Sequence, residues 1–144
     1  MPAIMRKVNN ISRCLAQFRA ANASVLFTPA QTSIVLLVTN KEGLTQEQIS
    51  RSVCLDKSNT SRALTVLEDG GYIKREVNPE NRREIRIFST EKLQSVIGEV
   101  RRVSRLWNEL LGEGISEEEF AVFHSVLTRL EARAWELANG GAVE

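Results

Sequence analysis

The sequence predicts a mainly α-helical protein with one small β-hairpin, and two observations support this fold class. First, apolar residues recur at helical spacing near both ends of the chain, and capping residues mark where those helices begin. Second, residues 44–88 show the pattern of a short helix, a turn, another helix and two alternating segments joined by a turn. This is the order of a winged helix-turn-helix, so we expect such a unit flanked by terminal helices.

The first two helices differ in how much apolar surface they carry. Helix one presents a single narrow stripe, formed by Ile4, Val8, Ile11, Leu15 and Phe18. Thr28 caps helix two, and Pro29 suits its first turn because the backbone angle of proline is already helical. Residues 34–38 are apolar on almost every side, which predicts a central, buried helix.

Capping signals place two short helices in the middle of the chain. Thr45 and Gln48 form a capping box at the start of the first, and Asp56 caps the second. One face of the second helix is expected to be buried and consists of Thr60, Ala63, Leu64 and Leu67. The other face is small, hydroxylated and basic, and such a surface can lie against the base edges and phosphates of duplex DNA. The residues expected to contact DNA from this helix are Lys57, Ser58, Asn59, Ser61, Arg62 and Thr65.

A hairpin is predicted after Gly70-Gly71, the glycine pair that ends this helix. Residues 72–77 and 84–88 alternate as half-buried strands should. The side chains expected to share one side of their strand are Ile73, Arg75 and Val77 in the first and Ile85 and Ile87 in the second.

The tip of this hairpin is basic. Residues 78–81, Asn-Pro-Glu-Asn, are a turn sequence that places Arg82 and Arg83 at or beside the tip. Two guanidinium groups on a thin loop suit the minor groove, where the negative potential of DNA is concentrated. The alternative is a solvated hairpin in which these arginines pair with Glu80 and Glu84.

Two long helices are predicted after the hairpin. Residues 91–111 form the first, with apolar positions at Leu93, Val96, Ile97, Val100, Val103, Trp107, Leu110 and Leu111. Ser116 and Glu119 form a capping box that opens the second, whose apolar side consists of Phe120, Phe123, Val126, Leu127, Leu130, Ala134 and Leu137. These helices carry more apolar surface than one small winged domain can cover, so we expect a second chain to cover it. The alternative is a monomer whose terminal helices fold back on the winged domain.

Short motifs along the middle of the chain carry a family resemblance. They are Leu26-Phe27-Thr28-Pro29-Ala30-Gln31, Leu44-Thr45-Gln46, Leu55-Asp56-Lys57-Ser58 with Ser61-Arg62, Leu67-Glu68 with Gly71-Tyr72-Ile73, and Asn78-Pro79-Glu80-Asn81-Arg82-Arg83. The run from Phe27 to Thr90 therefore resembles the MarR family of bacterial and archaeal transcription regulators. Asn81 stands where the family commonly has the Asp thought to orient the wing arginine. Ser89 stands where the family usually has an apolar residue, which predicts a looser end to the second strand.

The resemblance implies a DNA-binding homodimer, expected to be a repressor of a pseudo-palindromic operator. It places Ser58, Ser61 and Arg62 in the major groove and Arg82 in the minor groove. Residues 1–144 would form a single domain, in which 28–90 bind DNA and both 1–27 and 91–144 are helical dimerisation regions.

Two modes of control are open at this point. MarR-like proteins frequently admit small aromatic or phenolic effectors between the dimer helices and the winged domain, where Phe27, Thr28 and Trp107 are the candidate lining residues. Some instead sense peroxides through a cysteine near the start of helix one, which makes Cys14 a candidate thiol. The default for Cys14 and Cys54 is that both are buried and reduced, because two thiols forty residues apart form no metal-binding or redox pair.

Other functional classes have little support in the composition. His124 is the only histidine, so neither a histidine-based zinc site nor a catalytic triad can be built, and we expect no enzyme activity, cofactor or metal. No signal-like start or long apolar run is present, so a cytoplasmic chain without a membrane partner is expected. A winged-helix module that binds a protein is the rival function. It would require an apolar or acidic outward helix face, which the polar and basic residues described above do not form.

The charge of the chain is small but unevenly distributed. The formal net charge is +1, divided into +3 for residues 1–50, +2 for residues 51–92 and −4 for residues 93–144. We therefore expect the acidic C-terminal segment to face away from DNA, and we expect affinity to depend on local contacts more than on a strong overall field.

Overall fold

The computed structural model describes residues 2–140 and contains six helices and a three-stranded sheet within that range. In chain order the elements are α1 (Pro2–Asn22), α2 (Pro29–Asn40), β1 (Leu44–Thr45), α3 (Gln46–Ser52), α4 (Lys57–Asp69), β2 (Ile73–Asn78), β3 (Asn81–Ser89), α5 (Glu91–Leu111) and α6 (Glu117–Asn139). The chain divides into two compact units, Met1–Asn108 and Glu109–Glu144. The predicted fold class, a winged helix-turn-helix with long helices at both ends, is confirmed.

Side-chain caps determine where four of the helices begin. Thr28, Thr45 and Ser116 each form a capping box, in which the hydroxyl accepts from a backbone N–H and a Gln or Glu three residues later accepts in return. In the first box, Gln31 N–H donates to Thr28 Oγ1 at 3.2 Å and Thr28 N–H donates to Gln31 Oε1 at 2.9 Å. Because these N–H groups have no partner inside the helix, each cap satisfies donors that would otherwise need water.

The hydrophobic core is built around α2. Ile34, Val35 and Val38 are fully buried, as the run of apolar residues predicts. The residues that pack with them come from every other element of the first unit except α1, and include Leu44, Ile49, Leu64, Leu67, Ile73, Ile87, Leu93 and Ile97. This core holds α4 by its inner face and leaves its outer face exposed.

The sheet has a third strand that the periodicity does not reveal. β3 lies between β1 and β2, and β1 pairs with it in antiparallel register through Leu44↔Ile87 and Thr45↔Arg86. Two residues are too short for an alternating pattern to be detected. Gly43 precedes this strand with φ of +76°, a backbone angle that favours glycine.

The alternating apolar and polar residues of the hairpin predict more burial than the structure has. Ile73 and Ile87 are buried at its base, but Val77 is 55% exposed and Ile85, its cross-strand partner, is 49% exposed. The expectation that both strands are half-buried along their length is therefore wrong for the outer part of the wing. The physical reason is that the core covers only the base of the hairpin, so the side chains of Val77 and Ile85 face solvent.

The end of β3 is tied down, contrary to the expectation of a looser strand. Glu42 accepts hydrogen bonds from the Ser89 N–H at 2.9 Å and from the Ser89 hydroxyl. The amide of Gln94 donates to the same hydroxyl at 2.7 Å. Ser89 thus replaces apolar packing with hydrogen bonds to residues before and after the sheet.

The terminal helices carry exposed apolar side chains in the described part of the chain. On α1, Ile4, Val8 and Ile11 are exposed, in line with the predicted stripe. In the second unit, α6 contains no buried residue, and its exposed apolar side chains include Phe120, Phe123, Val126, Leu127 and Leu130. None of the helices in residues 2–140 combines the length and the apolar character needed to cross a membrane.

The fully buried Leu64 tests how much the fixed position of α4 contributes to stability. We expect Leu64→Ala to lower the free energy of unfolding by about 2–5 kcal/mol, because it removes buried methyl groups and leaves a cavity. Val66→Ala, on the same helix at a side chain that is 56% exposed, is the control and should cost less than about 0.5 kcal/mol. Urea unfolding of both variants at one protein concentration measures this, and equal losses would contradict the burial described for α4.

Candidate nucleic-acid interface

The start of α4 is fixed by Asp56. Its carboxylate accepts from the Asn59 backbone N–H at 2.8 Å and also from the Asn59 side-chain amide. These hydrogen bonds from Asn59 hold the pKa of the Asp56 carboxyl below its usual value. The hydroxyl of Ser50 on α3 lies 2.8 Å from that of Thr60 on α4, so the two helices are also joined through a partly buried hydrogen bond. The helix-turn-helix is therefore held rigidly where its outer face begins.

The outer face of α4 is polar, basic and exposed. Ser58, Arg62 and Thr65 are exposed and Ser61 is half-buried, and positions three or four apart on a helix share one face. Arg62 Nη2 donates to Asn59 Oδ1 at 2.8 Å, which directs the guanidinium along the first turn. The six helix residues predicted for DNA contact thus lie within the first nine residues of α4, and all of them except the half-buried Ser61 are exposed.

Two asparagines shape the tip of the wing. Asn78 Oδ1 accepts from the Glu80 N–H at 3.1 Å, and Asn81 Oδ1 accepts from the Arg83 N–H at 3.2 Å. Such side-chain hydrogen bonds to the backbone two residues on are typical of tight turns. Asn81 therefore orders the backbone of the arginine pair, although it lacks the charge of an aspartate.

The arginines at the tip have no acidic partner in the described part of the chain. Glu84 instead accepts from Arg86 Nε at 2.7 Å and from Asn78 Nδ2 at 3.0 Å, and these contacts lower the pKa of its carboxyl. No ion pair to Arg82 or Arg83 occurs within residues 2–140. The alternative in which these arginines pair with Glu80 and Glu84 is not the arrangement found.

A large open groove separates the wing from the helix-turn-helix. It has a volume of about 880 Å³ and is lined by Thr45, Gln46, Glu47, Ser50, Lys57, Arg75, Asn81, Arg83, Glu84, Ile85 and Ile87. Arg83 lies on its wall, together with Glu84 and Ile85 of the same strand, and Arg82 does not. The sequence shows two adjacent arginines but not which of them shares a face with the helices.

The candidate effector residues are only partly brought together. Phe27 and Thr28 line a cavity of about 240 Å³ with Ala16, Arg19, Ala20, Leu26 and Pro29. Trp107 does not line it, and instead packs against Phe18 with ring centroids 5.3 Å apart. The family resemblance indicates a region for the pocket but not which neighbour each side chain of α5 meets, so Trp107 could not be placed from it.

Arg19 is a site residue that sequence analysis missed. It lines the 240 Å³ cavity and a smaller one of about 20 Å³ beside Val100 and Val103. Burial lowers the pKa of its guanidinium, and no ion pair or side-chain hydrogen bond to it occurs in the range 2–140. A half-buried, uncompensated cation beside Phe27 has no sequence signal, because Arg19 is one of several basic residues on α1.

Both cysteines are exposed, so the default of buried thiols is wrong for this chain. Cys14 lies beside the apolar stripe of α1 rather than within it, and Ile4, Val8 and Ile11 of that stripe are exposed. Cys54 lies in the turn between α3 and α4, where its φ of 53° is unusual for a non-glycine residue. Across residues 2–140 no cluster of three or more His, Cys, Asp or Glu side chains could hold a metal ion.

Comparisons with known proteins point to one family. The MarR family model matches residues 27–85. The chain is 27% identical over 146 residues to the HTH-type transcriptional regulator YybA of Bacillus subtilis, covering 98% of this chain and 97% of that protein. The crystal structure of the transcriptional regulator SlyA superimposes with a TM-score of 0.84 at 27% identity, covering 92% of this chain and 94% of that one. The transcriptional repressor CouR, solved bound to a 23-mer DNA duplex, has the same fold, with a TM-score of 0.79 at 22% identity and coverage of 90% and 89%.

Arg62 is the residue whose removal best tests base reading by the outer face of α4. We expect Arg62→Ala to weaken binding to an operator, selected from a random-sequence library, by about 1–3 kcal/mol, because a guanidinium that pairs with a base edge contributes that much discrimination. Binding to an unrelated duplex should fall less. Arg105→Ala, which removes the same charge from an exposed position on α5, should change the affinity for neither duplex. Equal losses for Arg62→Ala on both duplexes would show that Arg62 contacts phosphate rather than bases.

Proposed function

We propose that this chain, as a member of the MarR family of winged helix-turn-helix transcriptional regulators, is a homodimeric repressor. A small ligand is proposed to release it from its operator. Two surfaces of the chain support the proposal. The outer face of α4 is exposed, hydroxylated and basic, and the wing tip carries arginines that have no acidic partner in the described residues. Regulation of transcription through DNA binding is the family's activity. The dimer, the operator and the ligand are the parts that this proposal adds.

The proposed DNA contacts divide between the two grooves. Ser58, Ser61 and Arg62 enter the major groove, where hydroxyls and a guanidinium can reach base edges. Arg82 enters the minor groove from the wing tip, where arginine is favoured by the negative potential. The remaining residues proposed to contact DNA are Lys57, Asn59, Thr65 and Arg83. CouR, which has this fold, was solved bound to a DNA duplex, and this supports DNA binding by the present chain.

A second copy of the chain is the proposed cover for the apolar faces of the terminal helices. Ile11 on α1 is 45% exposed and Phe123 on α6 is 56% exposed, and each has further apolar neighbours on its own helix. Burying apolar surface stabilises an association by roughly 25 cal/mol per Å². A two-fold dimer would also present two copies of α4, as a pseudo-palindromic operator requires.

The cavity at Phe27 is the proposed site of ligand control. An aromatic or phenolic molecule could pack on Phe27, and Thr28 could hydrogen-bond to it, while the uncompensated guanidinium of Arg19 favours an anionic substituent. A ligand that widens the spacing of the two α4 helices would release DNA, and a tenfold loss of operator affinity needs only about 1.4 kcal/mol of coupling.

The oligomeric state tests the dimer directly. We expect the wild type to sediment at micromolar concentration as a dimer of 16.1 kDa chains, and Ile11→Glu to lose both the dimer and part of the folded state, because it buries a charge in the interface. Gln17→Glu adds the same charge to an exposed position of α1 and should stay dimeric. A monomeric wild type would contradict the two-fold arrangement.

Ligand control is tested with a panel of hydroxybenzoates and uncharged phenols. We expect a member of the carboxylate series to weaken operator binding about tenfold, and Arg19→Leu to lose that response while still binding operator. An equal response in wild type and Arg19→Leu would remove Arg19 from the site.

Thiol control is the remaining alternative, and peroxide separates it from ligand control. Peroxide should release DNA from the wild type but not from Cys14→Ser if the exposed Cys14 is the sensor. No release, or release that persists in Cys14→Ser and in Cys54→Ser, would contradict the thiol alternative. A wild type that binds no selected duplex at all would favour the protein-interaction module.

A further inference from the structure

We propose that Tyr72 transmits ligand binding in the cavity at Phe27 to α4 and the wing, through the contact between the two aromatic rings. The inference rests on the proposed ligand control and identifies the residue through which the cavity acts on the DNA-binding elements. All residues that line this cavity belong to α1, to the segment between α1 and α2, or to the start of α2. A ligand there therefore needs an intermediate residue in order to affect α4.

The rings of Phe27 and Tyr72 meet edge to face. Their centroids are 5.0 Å apart and their planes are inclined by 80°, which is a favourable geometry for an aromatic pair. Both side chains are half-buried and pack against the hydrophobic core. Phe27 also lines the cavity, so a ligand in the cavity meets the same side chain that contacts Tyr72.

Tyr72 lies at the junction of α4 and the wing. α4 ends at Asp69 and β2 begins at Ile73, so Tyr72 is part of the short turn that joins them. Its N–H donates to the Leu67 carbonyl of α4 at 2.9 Å, and its own carbonyl accepts from the Thr90 hydroxyl at 3.0 Å. Because the core prevents α4 from rotating alone, a displacement of Tyr72 moves the helix and the hairpin together.

The ring of Tyr72 is also held against the C-terminal end of α4. A Cβ at Gly70 would lie only 3.0 Å from Cδ2 of the ring, so the ring has no free space on that side. Lys92 Nζ lies 4.5 Å from the ring centroid and donates to the Gly70 carbonyl at 2.6 Å. A cation is favourable at this end of a helix, where the backbone carbonyls lack helical partners. A change in the contact between Tyr72 and Phe27 therefore also alters the contacts of Tyr72 with the end of α4.

A ligand releases DNA only if it binds two arrangements of the protein with different affinities. The edge-to-face contact of Phe27 with Tyr72 belongs to the arrangement that binds DNA. An aromatic ligand gains most when Phe27 turns towards it, and this turn removes the contact with Tyr72. An aromatic pair is worth about two- to tenfold in an equilibrium constant, which is comparable with the tenfold release expected of the ligand. Tyr72 is thus a positioning residue for α4 and the wing.

A double-mutant cycle, measured as operator affinity without ligand, tests the ring contact. We expect Tyr72→Leu and Phe27→Leu each to weaken operator binding about two- to tenfold, and the double variant to bind no more weakly than either, because all three lack the same contact. Tyr72→Phe keeps the ring and should rescue the affinity. Val38→Ala, in the buried core near the far end of α2, is the control that loses stability without losing operator affinity. Losses that multiply in the double variant, or an equal loss in Tyr72→Phe, would overturn the proposal.

The ring can also be observed directly in the wild type. Tyr72 is the only tyrosine of the chain, so NMR of protein with isotope-labelled tyrosine rings reports on this residue alone. Phe27→Leu should move the ring signals, because the ring current of Phe27 is lost. The hydroxybenzoate or phenol of the panel that releases the operator should move the wild-type signals in the same direction, and added operator should move them back, since coupling between two ligands is reciprocal.

The outcomes separate this inference from the proposed function. Release of the operator with unmoved Tyr72 signals would overturn the inference and leave ligand control standing. A wild type that no member of the panel releases would overturn ligand control and this inference with it. A wild type that binds no duplex would overturn the proposed function as a whole. If circular dichroism shows that Tyr72→Leu is unfolded, the wild-type signals decide the question.

Discussion

The proposed DNA-binding surface depends on the burial of one face of α4. Leu64 and Leu67 are held in the core built around α2, and Thr60 is buried with its hydroxyl 2.8 Å from the carbonyl oxygen of Asp56. A helix of 13 residues fixed in this way cannot rotate, so its outer face has one orientation. Every proposed DNA contact from α4, and the groove beside it, follows from that orientation.

The wing is tied to the same helix at its base. Ile73 and Ile87 place the base of the hairpin in the core, and the Arg75–Glu68 ion pair joins β2 to α4 on the outside. At the same end of the hairpin, the Thr90 hydroxyl donates to the Gly71 and Tyr72 carbonyls and closes the connection to α5. The outer hairpin has no such support, which leaves its tip exposed to a partner while its base stays fixed.

Local signals were sufficient to predict most of the fold, because caps and helical periodicity need only neighbouring residues. Thr28, Thr45, Asp56 and Ser116 each begin a helix where predicted. Features set by distant parts of the chain were missed. The two-residue β1 exists only because β3 lies beside it, the exposure of Val77 depends on where the core ends, and Arg19 is distinguished only by the cavity that it faces. Sequence spacing alone contains none of these distances.

We propose that two copies of α4, each fixed by the core of its own chain, enter successive major grooves of one duplex. Hydroxyl-radical footprinting of the wild type on a selected operator measures this most directly. We expect two protected half-sites on the same face of the duplex, centred about 34 Å or one helical turn apart. A single protected site, or half-sites on opposite faces of the duplex, would contradict it.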